Sequence, residues 1–194
     1  MQLRFLTGVA MSLLVVGCAP SPGATGGKTS ARVITQPSVP PTVKILSWDQ
    51  TQKELAQHRG KVVILDFWST YCDPCIREFP NLVELQSRFP GQVVCLSFNT
   101  DYTGAKDESP ESLRGRVLKF LESQKAQIVN VICSDPSDDF FTKIHLGGPP
   151  AVFVYDRGGK LVKRFDNSKV PKVPEFTYKN DVVPLVEKLL SGSN

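Results

Sequence analysis

Histidine is nearly missing from this chain. Only His58 and His145 occur in 194 residues, and neither sits at a spacing that metal sites use. The five cysteines, Cys18, Cys72, Cys75, Cys95 and Cys133, match no four-ligand zinc pattern. A resident metal is therefore not expected. Lysines and arginines give a formal net charge of +4 at pH 7, but they form no basic block. Scattered charge of this kind argues against a nucleic-acid partner and bears mainly on solubility. No apolar run is long enough for a comfortable membrane span, which takes about 20 residues. No internal repeat is visible, so a solenoid is excluded. What remains is 41% apolar and 22% charged, the composition of one globular domain with a real core.

Against these absences stands Trp68-Ser69-Thr70-Tyr71-Cys72-Asp73-Pro74-Cys75, placed directly after the apolar run Val62-Val63-Ile64-Leu65-Asp66-Phe67. The order reads as a buried strand running into a helix, with a Cys-x-x-Cys at the helix start. Thiolates, not thiols, attack disulfides, and the free amides and dipole of a helix N-terminus favour the thiolate. Cys72, before the first turn, is the expected nucleophile. Cys75, inside that turn, is less exposed and is expected to resolve the mixed disulfide. Pro74 falls near the first helical position, where its missing N–H costs nothing. The pair carries two electrons itself, so no organic cofactor is required. The chain reads as a thiol–disulfide exchanger.

Two acidic residues bear on that chemistry. Asp66 interrupts an apolar strand. Burial there raises its pKa and makes it a base near neutral pH; the alternative is an exposed strand end. Asp73 adjoins the nucleophile. At roughly 6 Å and an effective dielectric near 40, its charge opposes the thiolate by about 1.4 kcal/mol or less. That favours a reducing poise, although Asp73 also suits the helix dipole alone.

The N-terminus reads as an address. Arg4 precedes an apolar stretch, Phe5 to Val16, of signal-peptide length. The stretch ends Leu14-Val15-Val16-Gly17-Cys18, which resembles the bacterial lipobox. Residues 1–17 are expected as the signal peptide and Cys18 as the lipidated mature N-terminus. The alternatives are an ordinary cleaved signal or an uncleaved anchor. All three place the domain outside the cytoplasm, where disulfide chemistry matters. Several acyl chains would hold the protein stably on a bilayer. Residues 18–43, rich in Pro, Ser, Thr and Gly, read as a disordered tether spanning roughly 25–30 Å as a coil.

The folded domain is expected over 44–194, with strands alternating with helices. Helices are predicted over 51–58, 74–89, 111–124, 138–145 and 181–190. Strands are predicted over 61–67, 93–98, 128–133, 151–155 and 160–165. Asp156-Arg157-Gly158-Gly159 supplies the hairpin turn between the last two strands. Pro80 should kink the helix it lies in.

These residues together resemble the thioredoxin fold, and within it the TlpA/ResA-like membrane-tethered thioredoxins. The matching residues are Arg59-Gly60-Lys61-Val62-Val63, Asp66-Phe67-Trp68, Cys72-x-x-Cys75 with Pro80 five residues on, and Pro150 before the strand ending Tyr155-Asp156. The resemblance covers roughly Ile45 to Leu190. It implies an α/β fold, a central mixed sheet with helices on both faces, and a helix-strand insertion between Phe98 and Asp138.

It also implies roles. Asp66 would move a proton to and from Cys75. Pro150 would be cis, would leave the preceding backbone free for an extended substrate, and would keep metal off the cysteines; Pro149 is the other candidate. Trp68 and Tyr71 would line the substrate side or simply pack. The implied activity is reduction of disulfides in exported proteins by a monomer. Apocytochrome c is among the suggested clients, and a membrane electron donor would recharge the dithiol.

The sequence departs from the family pattern at Asp73-Pro74, Tyr71, Asp66 and Pro149, positions that bear on potential and partner choice. Cys95 and Cys133, both on predicted strands, form a second disulfide or remain buried thiols. A Cu(I) carrier using the same two thiolates and a non-catalytic redox sensor are the rival classes. A peroxidase is disfavoured because the chain lacks Pro-x-x-x-Thr-x-x-Cys.

Overall fold

The computed structural model describes residues 39–166 and 176–192. The expectations for the signal peptide, for Cys18 and for the tether through residue 38 lie outside the described residues.

Among the described residues, six strands form one mixed sheet. They are β1 (Lys44–Leu46), β2 (Val62–Trp68), β3 (Val93–Asn99), β4 (Val129–Cys133), β5 (Ala151–Tyr155) and β6 (Leu161–Asp166), in the order β1-β4-β3-β2-β5-β6. Strands β1, β4, β3 and β2 run parallel to one another; β5 pairs antiparallel with both β2 and β6. Helices α1 (Trp48–Ala56), α2 (Asp73–Arg88), α3 (Pro110–Ser123), α4 (Ser137–Ile144) and α5 (Val183–Ser191) complete the domain. A single π-helical turn, Tyr178–Val182, leads into α5. This is the thioredoxin-like α/β fold that the resemblance implies, with α3 and β4 as the helix-strand insertion.

The core lies in two layers, because successive side chains of a strand point to opposite faces. On β2, Val62, Ile64 and Trp68 face one side, with residues of α2, α3 and α5. Val63, Leu65 and Phe67 face the other, with residues of α1 and α4. Every residue of β2 is buried, as a central strand covered on both faces must be. Asp66 shares the parity of Ile64 and Trp68, so it points under α2, the helix that carries the dithiol.

The structure differs from the sequence expectations at element ends. β1 is only three residues long, too short to show a period. The fold also begins before Lys44: Val43 is buried, its carbonyl accepts from Arg114 Nη1 at 2.9 Å, and the Thr42 carbonyl accepts from Asn130 Nδ2. These contacts bring the last tether residues onto the domain. Helix α1 starts at Trp48 because Ser47 and Gln50 form a capping box. The final helical segment starts at Tyr178, where Thr177 caps the π turn through Asn180 N.

Candidate active site

Cys72 is the N-cap of α2, and its Sγ accepts from the Cys75 amide at 3.3 Å. The Cys72 carbonyl takes the first helical hydrogen bond, from Ile76 N at 3.0 Å. Cys72 and Cys75 are joined in a disulfide with Cα atoms 5.2 Å apart. Cys72 is half-buried and Cys75 is buried, the asymmetry an attacking and a resolving thiol require. Asp73 opens the helix and is exposed. Pro74 follows at the second helical position, inside the first turn where no intrahelical donor is needed.

The loop leading to Cys72 is held by a carboxylate with no distinguishing motif around it. Asp101, whose side chain is fully buried, accepts from Thr70 N at 2.9 Å and from Thr70 Oγ1 at 2.7 Å. Arg116 on α3 donates to Asp101 at 3.3 Å and to the Tyr71 hydroxyl at 2.8 Å. The guanidinium carbon lies 5.0 Å from the Tyr71 ring centre. Tyr71 is thus 76% exposed yet pinned beside the nucleophile. Removing the carboxylate leaves two part-buried Thr70 donors and the Arg116 cation without their partner. Asp101→Ala is expected to lower stability by about 2–3 kcal/mol in urea unfolding. A loss within 0.5 kcal/mol would show that solvent replaces Asp101 freely.

Asp66 is 7% exposed. Burial pushes its pKa up to about 7; the Tyr178 hydroxyl, which donates to its carboxylate, pulls the other way, and Glu78 adds a smaller upward push. Tyr178 is itself buried and its pKa is raised well above the ordinary value, by burial first and then by Asp66. It therefore keeps its proton as a donor. Asp66, Cys75, Glu78, Pro150, Phe176 and Tyr178 line a common pocket of about 60 Å³. The Glu78 carboxylate anchors the pocket wall, accepting from Tyr178 N at 3.0 Å and from Asn81 Nδ2 at 3.1 Å.

The Pro149–Pro150 peptide bond is cis, which places the cis residue at Pro150 rather than Pro149. Both prolines are half-buried at the start of β5, whose Val152 pairs with Asp66. Trp68 requires a correction. It is 0% exposed and packs between Phe79 and Phe120, with ring centres at 5.1 and 4.7 Å, so it is core and not a substrate contact. Its parity on β2 turns it under the helices although it lies next to the dithiol loop in sequence.

Cys95 and Cys133 are buried free thiols in separate core layers, Cys95 with the α2 side and Cys133 with the α4 side. They cannot reach each other. Burial pushes the Cys133 thiol up to about 12 and raises the Cys95 thiol as well, which makes both poor nucleophiles. His145 ends α4 in the left-handed region and is exposed. Among the described residues no cluster of three or more His, Cys, Asp and Glu is placed to hold a metal.

Tyr178, Glu78, Arg116 and Asp101 were not anticipated. Only Glu78 had a legible signal: it lies three residues after Cys75 on the same helix, so the two share a face.

A disulfide-forming pair at a helix start, a buried carboxyl and a cis proline on one thioredoxin-like sheet define the class of a thiol–disulfide oxidoreductase. The chain belongs to the AhpC/TSA family, whose model matches residues 38–164. It is 30% identical over 143 residues to the thiol:disulfide interchange protein DsbE homolog of Paracoccus denitrificans, covering 74% of this chain and 69% of that protein. It is 29% identical over 136 residues to the thiol-disulfide oxidoreductase ResA of Geobacillus thermodenitrificans, covering 70% and 71%. Among solved structures, a thioredoxin-like protein from Porphyromonas gingivalis superposes with a TM-score of 0.53 at 20% identity, over 70% of this chain and 79% of that one, a likeness of fold. The chain is a thiol–disulfide oxidoreductase of the ResA and DsbE kind.

Proposed function

We propose that this chain is a lipid-anchored reductant of disulfides in exported bacterial proteins, tethered through Cys18 and facing the periplasm. Cys72 thiolate attacks a client disulfide and forms a mixed disulfide, releasing one client thiolate. Cys75 gives its proton to Asp66 and attacks Cys72 Sγ, which releases the second client thiolate and closes the Cys72–Cys75 bond. The client gains two electrons, and a membrane electron donor restores the dithiol. Pro150, with Pro149 and Tyr71, forms the face on which an extended client strand lies. Asp73 at the helix start tunes the poise toward reduction.

The observation that carries this reading is the convergence of Cys75, Asp66 and Pro150 on one pocket beneath a half-buried Cys72. The names of the relatives support the exchange chemistry, and the family resemblance supports exported clients, including apocytochrome c. The lipid anchor rests on the Leu14 to Cys18 sequence alone. Among the described residues no helix is long and apolar enough to cross a membrane.

Two measurements test the proposal. The chain should accelerate reduction of insulin disulfides by dithiothreitol; no acceleration would contradict a reductase. Expressed in a bacterium with labelled palmitate, the full chain should carry label and sediment with membranes. Cys18→Ala should lose both the label and the sedimentation. A Cys18→Ala chain that stays labelled and membrane-bound would rule out the anchor.

A further inference from the structure

We propose that Tyr178 is a positioning residue of the exchange reaction. Its hydroxyl, donated to the buried Asp66 carboxylate, fixes that group beside the dithiol and sets the pH at which it accepts the Cys75 proton. The inference rests on the reading of Asp66 as the proton carrier.

Among the described residues, Tyr178 is the one hydrogen-bond partner of the Asp66 side chain. A donor to a carboxylate makes a charge-assisted bond, which stabilises the ionised form and resists protonation. The donor is held from both ends. Tyr178 N is bound to Glu78 on α2, and the π turn is closed by Thr177 N to Asp181 Oδ2 at 2.8 Å and Asn180 N to Thr177 Oγ1 at 3.2 Å. Thus the helix that carries Cys75 also anchors the main chain of the tyrosine that grips Asp66.

The surrounding groups leave that role to Tyr178. From α2, Glu78 opposes ionisation of Asp66 by its charge, Cys75 is the proton source, and Arg77 shares the pocket. From β3, Cys95 is buried on the same layer, with a thiol that stays protonated, and Ser97 stands opposite Asp66 in register. From β5, the opposite residue is the apolar Val152. The Tyr178 hydroxyl is therefore the hydrogen bond that offsets burial. In the resolving step the proton leaves Cys75 Sγ for an Asp66 oxygen. The new S–S bond forms to Cys72 as the Cys72–client bond breaks. Tyr178 retains its own proton throughout.

The test is the pH profile, from pH 5 to 9, of insulin-disulfide reduction by the full chain. Tyr178→Phe should move the midpoint assigned to Asp66 upward by about one pH unit, a tenfold change in proton affinity. The rate at neutral pH should fall by about fivefold, as the ionised fraction of Asp66 drops, and recover at high pH. Adding Tyr178→Phe to Asp66→Asn should change nothing further. Equal losses at every pH, or independent losses in the double variant, would mean that Tyr178 only packs. If Asp66→Asn itself leaves the profile unchanged, the proton-carrier reading falls, and the inference with it, by a separate result.

The unsubstituted chain supplies a check that needs no variant. The Tyr178 ring carbon bearing oxygen and the Asp66 carboxyl carbon should titrate with one midpoint by NMR. A Tyr178 resonance indifferent to the Asp66 titration would overturn the proposal.

Discussion

Cys72→Ser is expected to abolish disulfide reduction, while Cys75→Ser is expected to attack once and stop. The difference follows from the two environments. Cys72 Sγ sits at the N-cap of α2, half-buried, where helix amides favour a thiolate and a client can approach. A serine hydroxyl there is far too weak an acid to replace it. Cys75 is buried within the first turn, where its sulfur is bonded to that of Cys72 and no client can reach it. Without it the mixed disulfide has no internal resolving thiol and persists until external thiol arrives. Non-reducing electrophoresis should show a client adduct with Cys75→Ser and none with Cys72→Ser. Adducts on Cys72→Ser instead, or multiple turnovers by Cys75→Ser, would reverse the assignment. Cys95 and Cys133 are too deeply buried to substitute for either.

Asp66→Asn should produce opposite effects on stability and rate. The ordinary pKa of this carboxyl is 3.8, and in the folded protein it stands near 7. Between those values the folded chain holds a proton that the unfolded chain has released. The stability linked to this group is complete below about pH 4 and is lost as pH rises through 7. Asparagine carries no charge to bury, and its carbonyl still accepts from Tyr178. The variant should therefore gain on the order of 2–4 kcal/mol at pH 8.5 relative to the parent, and little at pH 4. Urea unfolding of the oxidised forms at the two pH values measures it. In the same variant, resolution at Cys75 loses its base, with an expected rate loss of about 100-fold at neutral pH. A parent whose stability does not fall between pH 4 and 8.5 would show that Asp66 is ionised throughout.

Sequence and structure agree where the signal is local. The dithiol, its helix, the parity that buries Asp66 and the proline before β5 are each written within a few adjacent residues. The agreement fails where contacts span the chain. Tyr178 reaches Asp66 across 112 residues, from a π turn with no apolar period. Arg116 reaches Tyr71 across 45 residues, from the inserted helix. Asp101 opens a polar stretch of sequence, yet it is drawn inside, where it accepts from the Thr70 main chain. For Trp68 the packing alternative holds: it adjoins the dithiol loop in sequence, and strand parity turns it into the core. Val43 shows the same limit at a boundary: a tether composition does not reveal which of its last residues the domain captures.

A Cys72–Cys75 pair that works as a reductant must have a low reduction potential. The reduction potential of the full chain, equilibrated in dithiothreitol or glutathione redox buffers, tests it most directly. A value near the thioredoxin end of the range, about −270 mV, is expected, with exposed Asp73 at the helix start opposing the thiolate. A value near the DsbA end, about −120 mV, would make the pair an oxidant and overturn its role as a reductant.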